Sequence, residues 1–162
     1  MQHITHPFPP LYDSGSKIPI LGSFPSVKSR ETLFFYGHPQ NRFWRVVSAV
    51  TGAPCPQTIA EKRAFLHGAH IALWDVIQSC DIEGSSDSSI KNAVVNDFSE
   101  IFDTADIRAV FTNGAAAHRL YQKYVKNGKD AIKLPSTSPA NAAYSAERLI
   151  GEWSVIKEYL GQ

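Results

Sequence analysis

Two consecutive pieces, Lys17-Ile-Pro-Ile-Leu21 and Gly22-Ser-Phe-Pro-Ser26, decide the fold. A short apolar run bounded by glycine and proline reads as a buried strand. Here the run empties into a loop that continues, after a basic bridge, as Phe34-Phe-Tyr-Gly-His-Pro-Gln-Asn-Arg-Phe-Trp44. Core packing does not require a loop so rich in aromatic, amide and basic side chains at the end of a strand.

Working outward, Pro39 suits a first helical turn, and Phe43, Val47 and Val50 share one face before Gly52. This predicts a helix with Asn41 in its first turn. Thr58-Ile-Ala-Glu61 is a capping box that opens a helix ending at Gly68. Ile71 to Ile77 reads as a second apolar strand, with Asp75 near its carboxyl end. A carboxylate in such a run must be paired, solvated or functional.

After a polar loop at 84–89, Asn96 is the expected cap of a short helix through Phe102. Ile107 to Thr112 is the third strand, and Asn113-Gly114 opens an alanine-rich helix from Ala115 to about Lys126, stopped at Gly128. Ala131 to Leu134 is the fourth strand, followed by the loop Pro135-Ser-Thr-Ser-Pro-Ala-Asn141. Leu149, Trp153, Ile156 and Leu160 form the stripe of a closing helix. Residues 1–17, with Pro7, Pro9, Pro10 and Ser14-Gly-Ser16, read as an extended lead-in on the surface.

Strands alternating with helices predict an α/β fold, a three-layer α/β/α sandwich around a four-stranded parallel sheet. The 162 residues suit one domain spanning 1–162, since a chain of this size buries roughly two thirds of its unfolded surface. Lys and Arg number 16 against 15 Asp and Glu, so any electrostatic footprint is local. Cys55 and Cys80 lack metal-site spacing, and no metal or other cofactor is expected. With neither a signal-like start nor a run of about 18 apolar residues, the expectation is a cytoplasmic, non-membrane monomer.

Ligands of parallel α/β sheets bind at the carboxyl ends of the strands. The unusual residues lie there: Gly22, Ser23, Phe24 and Pro25; Asp75; Asn113; and Ser136, Ser138, Pro139, Ala140 and Asn141. Amides, hydroxyls, one carboxylate and aromatic rings suit a flat heteroaromatic, stacked on its faces and read along its edge. Lys28, Arg30, Arg42 and Arg45 stand where phosphates flanking such a base would be neutralised, or are ordinary solvated charges. Asp75 reads a base or accepts from loop N–H groups, and Asn113 reads a base or caps its helix. His38 binds a phosphate or fills space beside Pro39.

Gly22-Ser-Phe-Pro-Ser26, Tyr36-Gly-His-Pro-Gln-Asn-Arg-Phe-Trp44, Ala72-Leu-Trp-Asp-Val76, Phe111-Thr-Asn-Gly114 and Ser138-Pro-Ala-Asn141 together resemble the uracil-DNA glycosylase superfamily. The similarity is greatest to its hypoxanthine-DNA (deoxyinosine) glycosylase branch and covers nearly the whole chain. The resemblance implies an enzyme of base-excision repair that acts on double-stranded DNA carrying a deaminated base. Such an enzyme flips the base out and hydrolyses its N-glycosidic bond, leaving an abasic site as a monofunctional glycosylase. Hypoxanthine is the first expected base, with uracil and xanthine as further ones.

Carried over by position, the resemblance puts catalysis on Asn41, stacking on Tyr36 or its neighbour Phe35, and backbone donors at Gly22 to Pro25. It makes Asp75 a reader of the base edge and presses the loop Ser136 to Asn141 into the minor groove. Two departures stand out. Phe24 occupies the place where relatives carry a water-positioning aspartate or asparagine. Ser136 and Ala140 replace a histidine and a leucine wedge. A hydrolase of free nucleosides and a non-catalytic damage-binding protein are the alternatives.

Overall fold

The computed structural model of the protein describes residues 1–126 and 129–161. In chain order the strands are β1 (Gln2–Thr5), β2 (Ile18–Gly22), β3 (Ile71–Asp75), β4 (Ile77–Ile82), β5 (Lys91–Val95), β6 (Val110–Asn113) and β7 (Ala131–Leu134). The α-helices are α1 (Val27–Thr32), α2 (Phe43–Thr51), α3 (Ile59–Ala69), α4 (Ser99–Thr104), α5 (Ala115–Tyr124), α6 (Ala146–Trp153) and α7 (Lys157–Leu160).

The four-stranded parallel sheet expected from the sequence is present, in the order β3-β2-β6-β7. Both β2 and β3 are buried at every position, as strands covered on two faces must be. Helix α3 packs against β3, α5 against β6 and β7, and α2 against α6. The closing stripe supplies Leu149, Trp153 and Ile156, all fully buried, and the Trp153 indole donates to the Pro135 carbonyl at 2.9 Å.

The register sets the strand ends side by side. Gly22 pairs with Asp75, Leu21 with Thr112, and Asn113 with Leu134. From β2 the chain moves to β3 on one side, then crosses to β6 and β7 on the other. The crevice at the end of β2 is therefore the point where strand order reverses.

Several local expectations are corrected. The lead-in is not merely extended: Gln2–Thr5 is a strand, paired antiparallel with β4 in a second sheet ordered β1-β4-β5. The apolar run 71–77 breaks at Val76, whose N–H donates to the Gly22 carbonyl at 2.8 Å, and continues as β4 in that second sheet. The basic bridge is partly the helix α1, capped by Ser26 accepting from the Ser29 N–H at 3.2 Å.

Asn96 caps nothing, since its amide donates to the Asp75 carbonyl at 2.8 Å; Asp97 instead accepts from Ser99 N–H at 2.9 Å, ahead of α4. Asn41 lies two residues before α2 rather than in its first turn. The alanine-rich helix ends at Tyr124, and the predicted stop at Gly128 lies outside the described residues. No helix among the described residues is long and apolar enough to cross a membrane.

Candidate functional site

A cavity of about 370 Å³ opens at the reversal point, within the ~300–1,000 Å³ range of small-molecule sites. It brings together Gly22, Ser23, Phe24, Pro25, Phe35, Tyr36, Asn41, Asp75, Asn113, Ser136, Ser138, Pro139 and Ala140. Lys28, Arg30, Arg42 and Asn141 are not among its walls. His38 also lines it.

Asp75 forms part of one wall and is buried, and its Oδ2 accepts from His6 Nε2 at 2.7 Å. Its other oxygen, Oδ1, lies over Gly22, where an added methyl carbon would stand only 2.5 Å away. Glycine is thus required at 22 by close approach rather than by backbone conformation. The same methyl would stand 3.5 Å from the Tyr36 hydroxyl.

Tyr36 takes a left-handed backbone conformation, φ 51°, and stacks its ring on Phe43 with centroids 4.1 Å apart and planes 13° from parallel. Phe43 is completely buried, so only the opposite face of Tyr36 remains for a ligand. The hydroxyl is buried without a well-formed hydrogen bond. Burial, and after it the charge of Asp75, push its pKa far above the usual tyrosine range, and Asn113 draws it back. At any ordinary pH it stays a neutral O–H.

The two phenylalanines that also line the cavity are both buried. Phe35 is 4% exposed and packs on Phe8, Phe34 and Trp74. Phe24 is 8% exposed, with its ring edge toward His6.

Asn41 is held at the centre of a relay. Its Oδ1 accepts from the Phe43 N–H at 2.9 Å and from Thr137 Oγ1 at 2.8 Å. Thr137 Oγ1 in turn accepts from Asn113 Nδ2 at 3.0 Å, and Asn113 Oδ1 accepts from the Thr137 N–H at 3.0 Å. The Phe43 N–H can only donate, so the orientation of the Asn41 amide is determined. Both lone pairs of Oδ1 are used, and the Nδ2 group is left without a partner among the described residues. Gly114 is the cap of α5, so Asn113 does not play that role; its side chain ties β6 to the loop after β7.

That loop is built from short side-chain bonds. Ser136 Oγ accepts from Ser138 N–H at 3.1 Å, Ser138 Oγ from Ala140 N–H at 3.2 Å, and Asn141 Nδ2 donates to the Ser136 carbonyl at 3.0 Å. Arg42 staples it, donating to the carbonyls of Ser138 at 3.1 Å, Asn141 at 3.0 Å and Tyr144. Pro139 and Ala140 are exposed at its tip. Arg30 is likewise engaged, with the carbonyls of Pro25 at 2.8 Å and Gly84 at 3.2 Å, whereas Lys28 is exposed beside Glu31.

Three participants were missed from the sequence: His6, Thr137 and Asp87. Asp87 sits on the 84–89 loop, in a 3₁₀ turn over 87–89, and its Oδ1 accepts from Ser23 Oγ at 2.6 Å. The residue is exposed as a whole, yet its carboxyl lines the cavity; burial there, and secondarily the charge of Asp75, raise its pKa, with the Ser23 bond opposing. A polar residue within each special loop was the only signal for Thr137 and Asp87. His6 had none beyond its identity.

The sequence profile of the family described as the Uracil DNA glycosylase superfamily matches residues 9–157. A Methanosarcina acetivorans protein named Hypoxanthine DNA glycosylase is 36% identical over 152 residues, 92% of this chain and 95% of its own. One of the same name from Methanosarcina barkeri is 34% identical over 136 residues, 83% of this chain and 86% of its own. The solution NMR structure of a Methanosarcina acetivorans protein assigned provisionally to uracil DNA glycosylases superposes with a TM-score of 0.81 at 35% identity, covering 94% of this chain and 96% of that one.

Proposed function

The chain belongs to the uracil DNA glycosylase superfamily, and from that premise we propose that it is a monofunctional DNA glycosylase that removes hypoxanthine from double-stranded DNA. The observation that carries the reading is the cavity wall at the end of β3: a carboxylate oxygen, Asp75 Oδ1, with no hydrogen bond among the described residues, beside the open face of Tyr36. Hypoxanthine carries an N1–H on its pairing edge and a flat purine ring for the tyrosine. Both relatives named for this base support the assignment.

A base reaches such a cavity only by leaving the helical stack. The exposed tip Pro139-Ala140 is the part of the chain placed to occupy the space it leaves. As the C1′–N9 bond breaks, its electron pair goes to the purine, which leaves as an anion and takes a proton from solvent. The sugar carries oxocarbenium character, and a water oxygen forms the new bond to C1′ and sheds its proton.

Asn41 holds that water. Since Oδ1 is committed to Phe43 and Thr137, the amide offers Nδ2–H, which binds one lone pair of the water and leaves the other for C1′. Positioning is the main contribution that an oxocarbenium-like reaction needs. Without a general base the enzyme forgoes roughly 10²-fold or more, so turnover is slow.

The test uses labelled duplexes carrying inosine, uracil or xanthine, with free deoxyinosine as a control, followed by alkaline cleavage. Inosine duplexes are cut and the free nucleoside is not. Asn41→Ala loses cleavage while duplex affinity stays within a few fold. Absence of strand scission with every base refutes the enzymatic reading, and near-normal turnover by Asn41→Ala removes that residue from its role.

A further inference from the structure

The two oxygens of Asp75 are not equivalent. Oδ2 accepts from His6 Nε2 at 2.7 Å, and the two side chains are only 2% and 7% exposed. The Phe8 N–H approaches His6 Nδ1 at 3.5 Å, which leaves Nε2 as the protonated nitrogen. The imidazole cannot swing away. It lies 4.5 Å from the ring of Phe8 and 4.5 Å from that of Trp74, with Phe24 at 5.9 Å and Phe35 at 6.4 Å, centroid to centroid. The Asp75 main chain is held as well, by the register with Gly22 and by the Asn96 amide on its carbonyl. The cavity is therefore offered one carboxylate oxygen in a set position, not two.

We propose that His6 is a specificity-determining residue: by donating to Asp75 Oδ2 it takes a lone pair of that oxygen and fixes the carboxylate's orientation, so that Oδ1 is the acceptor offered to the base, which admits hypoxanthine and rejects guanine. The inference rests on the reading that Asp75 meets the base edge. Hypoxanthine and guanine share O6, N7 and N1–H and differ only at C2, where guanine adds an amino group beside N1–H. A free carboxylate would take N1–H and the 2-amino group together, as it takes the paired donors of an arginine. With Oδ2 bonded to His6, which is not a wall of the cavity, the 2-amino group is left without its acceptor, and a buried donor without an acceptor is costly. Selectivity against the normal base follows from a donor on the far side of the reading residue.

His6→Phe and His6→Leu remove the donor, with and without an aromatic ring to fill the cage; His6→Gln restores a donor. Affinity is measured for duplexes carrying non-hydrolysable 2′-fluoroarabino inosine or guanosine, each opposite an abasic analogue so that no base pair has to be broken. Wild type prefers inosine. Either donor-less variant that folds, judged by its melting transition, narrows the guanosine-to-inosine Kd ratio about tenfold or more, and His6→Gln keeps it within about threefold of wild type. A purely structural histidine would weaken both duplexes equally and leave the ratio unchanged, and that result overturns the proposal. Failure of the wild type to excise inosine at all would instead overturn the reading of the site.

Discussion

Replacing Gly22 by alanine probes the site at its tightest point. The new methyl carbon would stand 2.5 Å from Asp75 Oδ1, about 0.9 Å short of an ordinary 3.4 Å contact, and 3.5 Å from the Tyr36 hydroxyl. The carboxylate has little room to yield, because Oδ2 is bonded to a histidine wedged among four aromatic rings. Overpacking of this kind costs about 1–3 kcal/mol, and breaking the His6 bond strands a buried donor for about 1–3 kcal/mol more. The expected loss is about 2–6 kcal/mol, or a melting temperature lower by roughly 4–24 °C in a chain of this size. Excision of hypoxanthine falls further than stability explains, since the displaced atom is the one proposed to meet the base.

The control is Gly151→Ala in α6, where an added methyl meets nothing within 4 Å and the backbone is helical. That change stabilises by about 0.4–1 kcal/mol. Thermal melts and single-turnover excision of inosine decide the matter. If Gly22→Ala melts within about 1 °C of wild type and cuts at the wild-type rate, Asp75 is not clamped, and the argument for a single fixed acceptor collapses.

Thr137→Val removes the hydroxyl between Asn113 and Asn41; it costs about 1–3 kcal/mol of stability through the stranded Asn113 donor and lowers single-turnover excision about tenfold, with duplex affinity little changed. Unchanged turnover would show that Asn41 needs no support from that side. Asp87→Asn tests the raised pKa: above the folded pKa the native state carries a desolvated charge that the unfolded chain solvates, so the substitution raises the melting temperature at pH 7. That gain shrinks as pH falls through the folded pKa toward the ordinary aspartate value of about 3.9. A melting temperature at pH 7 below that of wild type contradicts this, because asparagine keeps an acceptor for Ser23.

The parallel sheet was legible because each of its strands is a short apolar run bounded by turn residues, and because strand ends in such sheets align without further information. Gly22, Asp75 and Asn113 could be brought to one place on that basis alone. The second sheet was not legible. β1 carries only Ile4 as a partly buried side chain, and β4 follows β3 after a single residue, so the two read as one run with a polar tail. Arg42 shows the limit of reading charge from composition. Its place beside the special loop is compatible with a phosphate ligand, yet its guanidinium is occupied by three main-chain carbonyls.

The deeper limit concerns atoms rather than residues. Asp75 and Asn41 both stand out in the sequence, but each has two polar ends, and which end faces the cavity is decided elsewhere. His6, 69 positions away, takes one oxygen of Asp75, and Thr137, 96 positions away, takes a lone pair of Asn41. Local spacing cannot encode such distant pairings. Asn41 alone leaves open which end of its amide is free, whereas the relay commits Oδ1 to Phe43 and Thr137 and leaves the nitrogen. By the same logic, two chains that share Gly22, Asn41 and Asp75 but differ at position 6 or 137 present different groups to the same base. Selectivity in this site should track those remote partners more closely than the motif residues themselves.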